Sequence, residues 1–112
     1  MTDFHEPPEE LEESTRTYRR ALHSLMEELE AIDWYQQRID ATKDEQLKSI
    51  LAHNREEEIE HACMTLEWIR RNMDGWDEEL RTYLFTEGDI TELEDEDESP
   101  SNRLNIGKVD HK

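Results

Sequence analysis

The chain has 112 residues, 39% charged and 33% hydrophobic, and its 31 acids against 13 bases leave a formal net charge of −18. That balance argues against nucleic acid, because phosphate binding needs Lys and Arg gathered on one face, and it is compatible with cations as ligands. No stretch approaches the roughly 20 apolar residues of a membrane span, and the single cysteine, Cys63, cannot form an intrachain disulfide. The opening MTDFHEPPEE is acidic and has no apolar run, so it does not read as a signal peptide. A soluble, cytoplasmic protein with neither nucleic-acid nor membrane partners is expected. So polar a chain buries little surface by itself, which makes burial against other subunits the first expectation.

Residues 1–13 read as a polar arm broken by Pro7 and Pro8, and residues 14–86 as a helical domain. Within it, Ser14 or Thr15 offers an N-cap for a first helix. Tyr18, Leu22, Leu25, Leu29, Ile32 and Ile39 then recur at spacings that share one helical stripe. The stretch Ala41-Thr42-Lys43-Asp44 reads as a short turn, with Asp44 or Thr42 available to cap a second helix. That helix carries Leu47, Ile50, Leu51, Ala62, Thr65, Leu66 and Ile69 to about Asn72, and Gly75 breaks it. A shorter third helix with Trp76, Leu80, Tyr83 and Leu84 on one side is expected to end near Gly88. Two long helices joined by a few residues fold back antiparallel, which makes half of a four-helix bundle. Residues 87–103 are dense in like charge and read as a flexible tether. Residues 104–112, basic with spaced apolar residues, are either a frayed end or a docking peptide.

The chemistry rests on Glu58 and His61 in the run EEEIEHA. At about 100° per residue, Glu58 falls in line with Leu47, Leu51, Ala62, Thr65 and Ile69, and His61 lies about 60° to one side. An acid and an imidazole therefore sit on the apolar stripe, where an unpaired carboxylate is expensive and calls for a cation. Glu28 lies near its own stripe, with Tyr35 two turns further along. Folding about residue 43 brings positions 28 and 58 to matching heights. Doubling the hairpin about a two-fold axis collects two Glu28, two Glu58 and two His61, the donor inventory of a di-iron carboxylate bundle. Carboxylate and imidazole suit iron, manganese or zinc, and this set favours a redox-active iron pair. The plainer alternative is a core histidine hydrogen-bonded to a neighbouring glutamate. Glu27 and Glu30 sit roughly opposite the main stripe near Trp34, either as a site that binds or routes cations or as a solvated acidic face. His23 and His53 read as ordinary helix residues, and Cys63 as a packing residue.

The stretches MEELEAIDWYQQR, ILAHNREEEIEHACMTLEWIRR and LRTYLFTEGDI, with His5-Glu6-Pro7 near the start, strongly resemble the encapsulated ferritins over roughly residues 5–91. The resemblance implies an all-α fold: an antiparallel two-helix hairpin plus a short third helix, dimerising into a ferritin-like four-helix bundle. It implies iron held between paired subunits by Glu28, Glu58 and His61, with Tyr35 beside the site. Trp34, Glu27 and Glu30 match the flanking residues that guide or weakly bind metal, calcium or another divalent cation included. It also implies a ring of five dimers that oxidises Fe(II) to Fe(III) but stores no mineral itself. Storage would belong to an encapsulin shell, docked through a C-terminal peptide. Leu104-Asn105-Ile106-Gly107-Lys108-Val109 is similar to that peptide's Leu-x-Ile-Gly pattern and departs from it after the glycine, where Ser-Leu and a basic residue are usual.

The function expected is therefore a ferroxidase whose di-iron site, with Glu28, Glu58, His61 and Tyr35 as the acting residues, is completed by two subunits. An acidic helical adaptor that oligomerises for structural reasons is the competing class. A zinc or manganese protein using the same ligands without redox turnover is the third.

Overall fold

The computed structural model describes residues 4–98. Among them the only regular elements are helical: a 3-10 turn at Pro8–Glu10, then α1 (Glu13–Ala41), α2 (Glu45–Asn72), α3 (Trp76–Tyr83) and α4 (Ile90–Glu98). The all-α expectation is met, with two long helices and shorter ones after them. No helix among the described residues is long and apolar enough to cross a membrane. By its contacts the chain divides into two units, Met1–Ile69 and Arg70–Lys112.

In the first unit, Pro8 opens the 3-10 turn, where its missing N–H leaves no bond unmade. Arg16 of α1 donates to the Pro8 carbonyl from Nη2 at 2.7 Å and from Nε at 3.3 Å. The Arg19 guanidinium lies 4.1 Å from the centre of the Phe4 ring. These contacts tie the arm to the first turns of α1. The helix starts earlier than its Ser and Thr predict: Glu12 occupies the N-cap position without a side-chain bond, so neither Ser14 nor Thr15 is the cap. The earlier start lets the Arg16 amide bond the Glu12 carbonyl at 3.1 Å while its guanidinium pairs with Glu13 at 3.5 Å.

At the other end of α1 the Thr42 amide still bonds the Arg38 carbonyl, at 2.9 Å. Asp44 then caps α2, its Oδ1 accepting the Leu47 N–H at 2.9 Å. Two contacts fix how the helices lie. Arg55 Nη1 donates to Gln36 Oε1 at 2.7 Å, and Thr65 Oγ1 donates to Glu28 Oε2 at 3.3 Å. Numbers rise on α2 as they fall on α1, so the pair is antiparallel. Helical side chains lean toward their own N-terminus. Thr65, which meets the Glu28 carboxylate, lies about two turns beyond Glu58 along α2, so the matching height expected of positions 28 and 58 is not seen between their carboxylates.

Burial in this hairpin is sparse. Ala62 and Ile69 are the only buried hydrophobic residues among those described. Tyr18, Leu22, Leu25, Ile32 and Ile39 are half-buried as their stripe predicts. Leu29 departs from it at 53% exposed, as do Leu47 and Ile50 at 47%. An apolar stripe of 100° or more is wider than one partner helix covers, so each helix keeps an apolar edge open.

The second unit begins at Arg70. Gly75, at φ 94°, takes the left-handed conformation that a Cβ disfavours and leads into α3. Asp77 accepts from Arg70 Nη1 and, at 2.9 and 3.1 Å, from Arg81 Nε. α3 stops at Tyr83 rather than near Gly88. Phe85 takes φ 59° and stands fully exposed, and Thr86 Oγ1 donates to the Tyr83 carbonyl at 2.7 Å. From residue 90 the expected flexible tether is a helix as far as Glu98. Asp89 starts it, its Oδ1 accepting from the Thr91 amide at 3.0 Å and the Thr91 hydroxyl at 2.8 Å. Repulsion between like charges one turn apart costs only a few tenths of a kcal/mol per pair, less than a good cap contributes. The remainder of the tether and the segment 104–112 lie outside the described residues.

Asp44→Ala should lower stability by about 1 kcal/mol, read from urea unfolding followed by helical circular dichroism. At Asp77, partial burial raises the carboxyl pKa, and the hydrogen bonds and charges of Arg70 and Arg81 more than offset it, leaving it below its ordinary value. A depressed folded pKa means that the pairing is complete above the usual carboxylate range and is lost as pH falls through the lowered value. The Arg81 Nε–H resonance should therefore hold its position from neutral pH down to about pH 4 and shift only below it.

Candidate metal centre

Glu28 is the residue that needs explaining. It sits half-buried on α1, on the side that meets α2. Oε2 accepts the Thr65 hydroxyl, while Oε1 is buried and has no hydrogen-bond partner among the described residues. A carboxylate oxygen withdrawn from water and left unpaired costs several kcal/mol even after relaxation.

Glu58 and His61 lie side by side on α2, one turn apart. His61 Nδ1 is 3.7 Å from Glu58 Oε1, and Nε2 is 4.0 Å from Glu57 Oε1. Both separations exceed a hydrogen bond. The His61 side chain is 42% exposed in the single chain. Glu58 is more withdrawn, at 25%. Among the described residues, no three His, Cys, Asp or Glu side chains of one chain are gathered closely enough to hold a metal ion. Glu58 and His61 stand on α2 and Glu28 on α1.

The flanking residues fall as follows. Tyr35 is half-buried on α1, with the Arg38 guanidinium 5.4 Å from its ring centre. Glu27 and Glu30 are exposed, and Trp34 is 47% exposed beside them. His53 is bound up with Glu57, Nε2 to Oε2 at 3.5 Å. His23 is half-buried and Cys63 exposed, so Cys63 is not the packing residue expected of it. A shallow groove lined by Thr17, Ala21, Met64, Thr65 and Trp68 runs between the two helices. Two contributors escape sequence reasoning. Thr65 is read there as one more member of the apolar stripe, although a hydroxyl one turn beyond His61 is the available signal. Glu57 is hidden among neighbouring glutamates, and its signal is the four-residue spacing to both His53 and His61.

Residues 3–87 match the sequence model of the EncFtn-like family. The chain belongs to that family. It is 61% identical over 93 residues to a ferritin-like protein of Thermotoga maritima, spanning 83% of this chain and 82% of that one. It is 64% identical over 90 residues to an encapsulated ferritin-like protein of Rhodospirillum rubrum, spanning 80% of this chain and 64% of that one. The crystal structure of protein ne0167 from Nitrosomonas europaea superposes with a TM-score of 0.76 at 56% identity, covering 80% of this chain and 98% of that one. The protein is therefore ferritin-like, an iron-related member of the encapsulated ferritins.

The residues present fit a divalent cation of intermediate softness. Hard carboxylate oxygens and an imidazole suit first-row transition metals. The orphaned Oε1 of Glu28 supplies an anionic donor that no group in the chain already uses. A single chain, however, brings too few donors together.

Proposed function

We propose that two copies of this chain pair into a four-helix bundle and oxidise Fe(II) with dioxygen at a di-iron site between them. Each copy would give Glu28, Glu58 and His61. The observation that carries the reading is the buried, unpartnered Oε1 of Glu28, which a cation between two chains would satisfy. The open apolar edge at Leu29, Leu47 and Ile50 supports pairing by a second route, since apolar area left in water favours association. In this reading iron is the substrate. Two Fe(II) ions each give up one electron, dioxygen takes both electrons with two protons and leaves as hydrogen peroxide, and the Fe(III) is hydrolysed by water, releasing protons, and leaves as oxide or hydroxide. The chain's own part is to hold two cations close together in a partly dry site while leaving coordination positions open.

Around that site, Tyr35 would tune the centre or pass an electron. Glu27 and Glu30, with Trp34, would gather iron or another divalent cation such as calcium on its way in. The dimers would assemble as a ring of five, and residues 104–112 would dock the ring inside an encapsulin shell that stores the mineral. The adaptor alternative needs Glu58 and His61 as a buried hydrogen-bonded pair, and their 3.7 Å separation with a half-exposed imidazole speaks against it.

Ferrous oxidation in air, followed optically, should exceed the iron-only blank by about tenfold for the wild type and fall close to the blank in the Glu58→Ala/His61→Ala variant, since lost ligands remove the bound substrate. Equal rates in the two proteins would move the chemistry elsewhere. A zinc or manganese protein would consume no oxygen with Fe(II). Because metal joins subunits in this reading, added Fe(II) should shift the native mass spectrum toward even-numbered assemblies by mass action. Identical distributions with and without iron would count against an interfacial site.

A further inference from the structure

We infer that Thr65 is the positioning residue of the metal centre, its hydroxyl holding one oxygen of Glu28 so that the other is presented to the cation. The inference rests on the iron-site reading above and adds a residue to it. Thr65 Oγ1 lies 3.3 Å from Glu28 Oε2, on the opposite helix, and Oε1 is the buried atom with no partner. One oxygen is thus occupied by the protein and one is left free.

The chemistry of the two residues makes this division effective. A glutamate has three side-chain torsions, and fixing them costs conformational entropy that a cation would otherwise have to overcome on binding. A hydroxyl has a single proton to donate, so Thr65 can secure only one carboxylate oxygen. Threonine is β-branched and stiff about its first torsion, which limits where the hydroxyl can point. In the interior of a helix that hydroxyl commonly turns back on the carbonyl four residues before it. Here it reaches across to α1 instead. An ionised acceptor makes the bond stronger than a neutral one, and it orients the ligand in the manner of the outer partners that tune metal sites. The same bond discourages Glu28 from turning both oxygens on one metal, which keeps a coordination position open.

Cobalt(II) is the probe, because it binds carboxylate and imidazole and reports its coordination through visible absorption without any turnover. The full-length protein is titrated anaerobically as wild type and as Thr65→Val, Thr65→Ser and Glu28→Gln. Thr65→Val keeps the shape and loses the donor, and it should weaken cobalt binding about tenfold, the lower end of what removing such a partner costs. Thr65→Ser restores the hydroxyl and should return the affinity to within about twofold of wild type. Thermal unfolding and subunit distribution, unchanged in Thr65→Val, separate positioning from packing. Thr65→Ala takes its place if the valine variant does not fold. If Thr65→Val binds cobalt as wild type does while Glu28→Gln does not, the positioning role is overturned and the iron site survives. If Glu28→Gln itself binds as wild type does, the iron-site reading falls and the role of Thr65 falls with it.

Discussion

One oxygen atom organises this protein. Oε1 of Glu28 is shielded from water and has no hydrogen-bond partner among the described residues, a state that is costly until a cation or another partner offsets it. Thr65 steadies the carboxylate from α2, and the half-exposed His61 stands one turn before Thr65 on the same helix. The single chain is thus left unpaired at a buried polar point, which the cation proposed for the site would complete.

The same incompleteness runs through the packing. Two buried hydrophobic residues among those described cannot offset the ordering of two long helices, for which the conformational cost is of order 1–2 kcal/mol per residue. What holds the hairpin in register is largely polar: the Asp44 cap at the turn, the bond from Arg55 to Gln36 midway and the bond from Thr65 to Glu28 further out. Such bonds fix alignment more than they add stability. The chain is therefore prepared in geometry before it is stabilised in free energy.

Much of this was legible in the residues because helical periodicity is a strong signal. The apolar recurrence located α1 and α2, Gly75 the break after them, and Asp44 one of two caps for the second. The same periodicity put Glu58 and His61 on the apolar stripe, where in the single chain Glu58 is 25% and His61 42% exposed. The misses have physical reasons. Glu12 takes the N-cap place because Arg16 reaches back to the Pro8 carbonyl, and a side chain's preference for distant backbone leaves no local pattern. Leu29 belongs to the stripe by periodicity but remains exposed, since periodicity gives a direction and says nothing of whether a partner fills it. The helix from residue 90 was hidden by charge density, and the Asp89 cap that starts it was not read from the sequence. Thr65 was read as a member of the stripe and its bond to Glu28 was missed, because a hydroxyl's partner on another helix depends on register.

The capped connection between α1 and α2 has a consequence for how this family can vary in length. Thr42 to Asp44 lie between two closed helix ends. Residues added there would lengthen the loop at little cost and leave both helices as they are, since loop closure grows slowly with length. A single residue inserted between Glu28 and Gln36 would act differently. It would turn one end of α1 by about 100° against the other, so that Glu28 and Gln36 could not meet Thr65 and Arg55 together. Drift in chain length is thus channelled to the arm, the turn and the acidic end, and the body of the hairpin behaves as a ruler whose divisions cannot be moved.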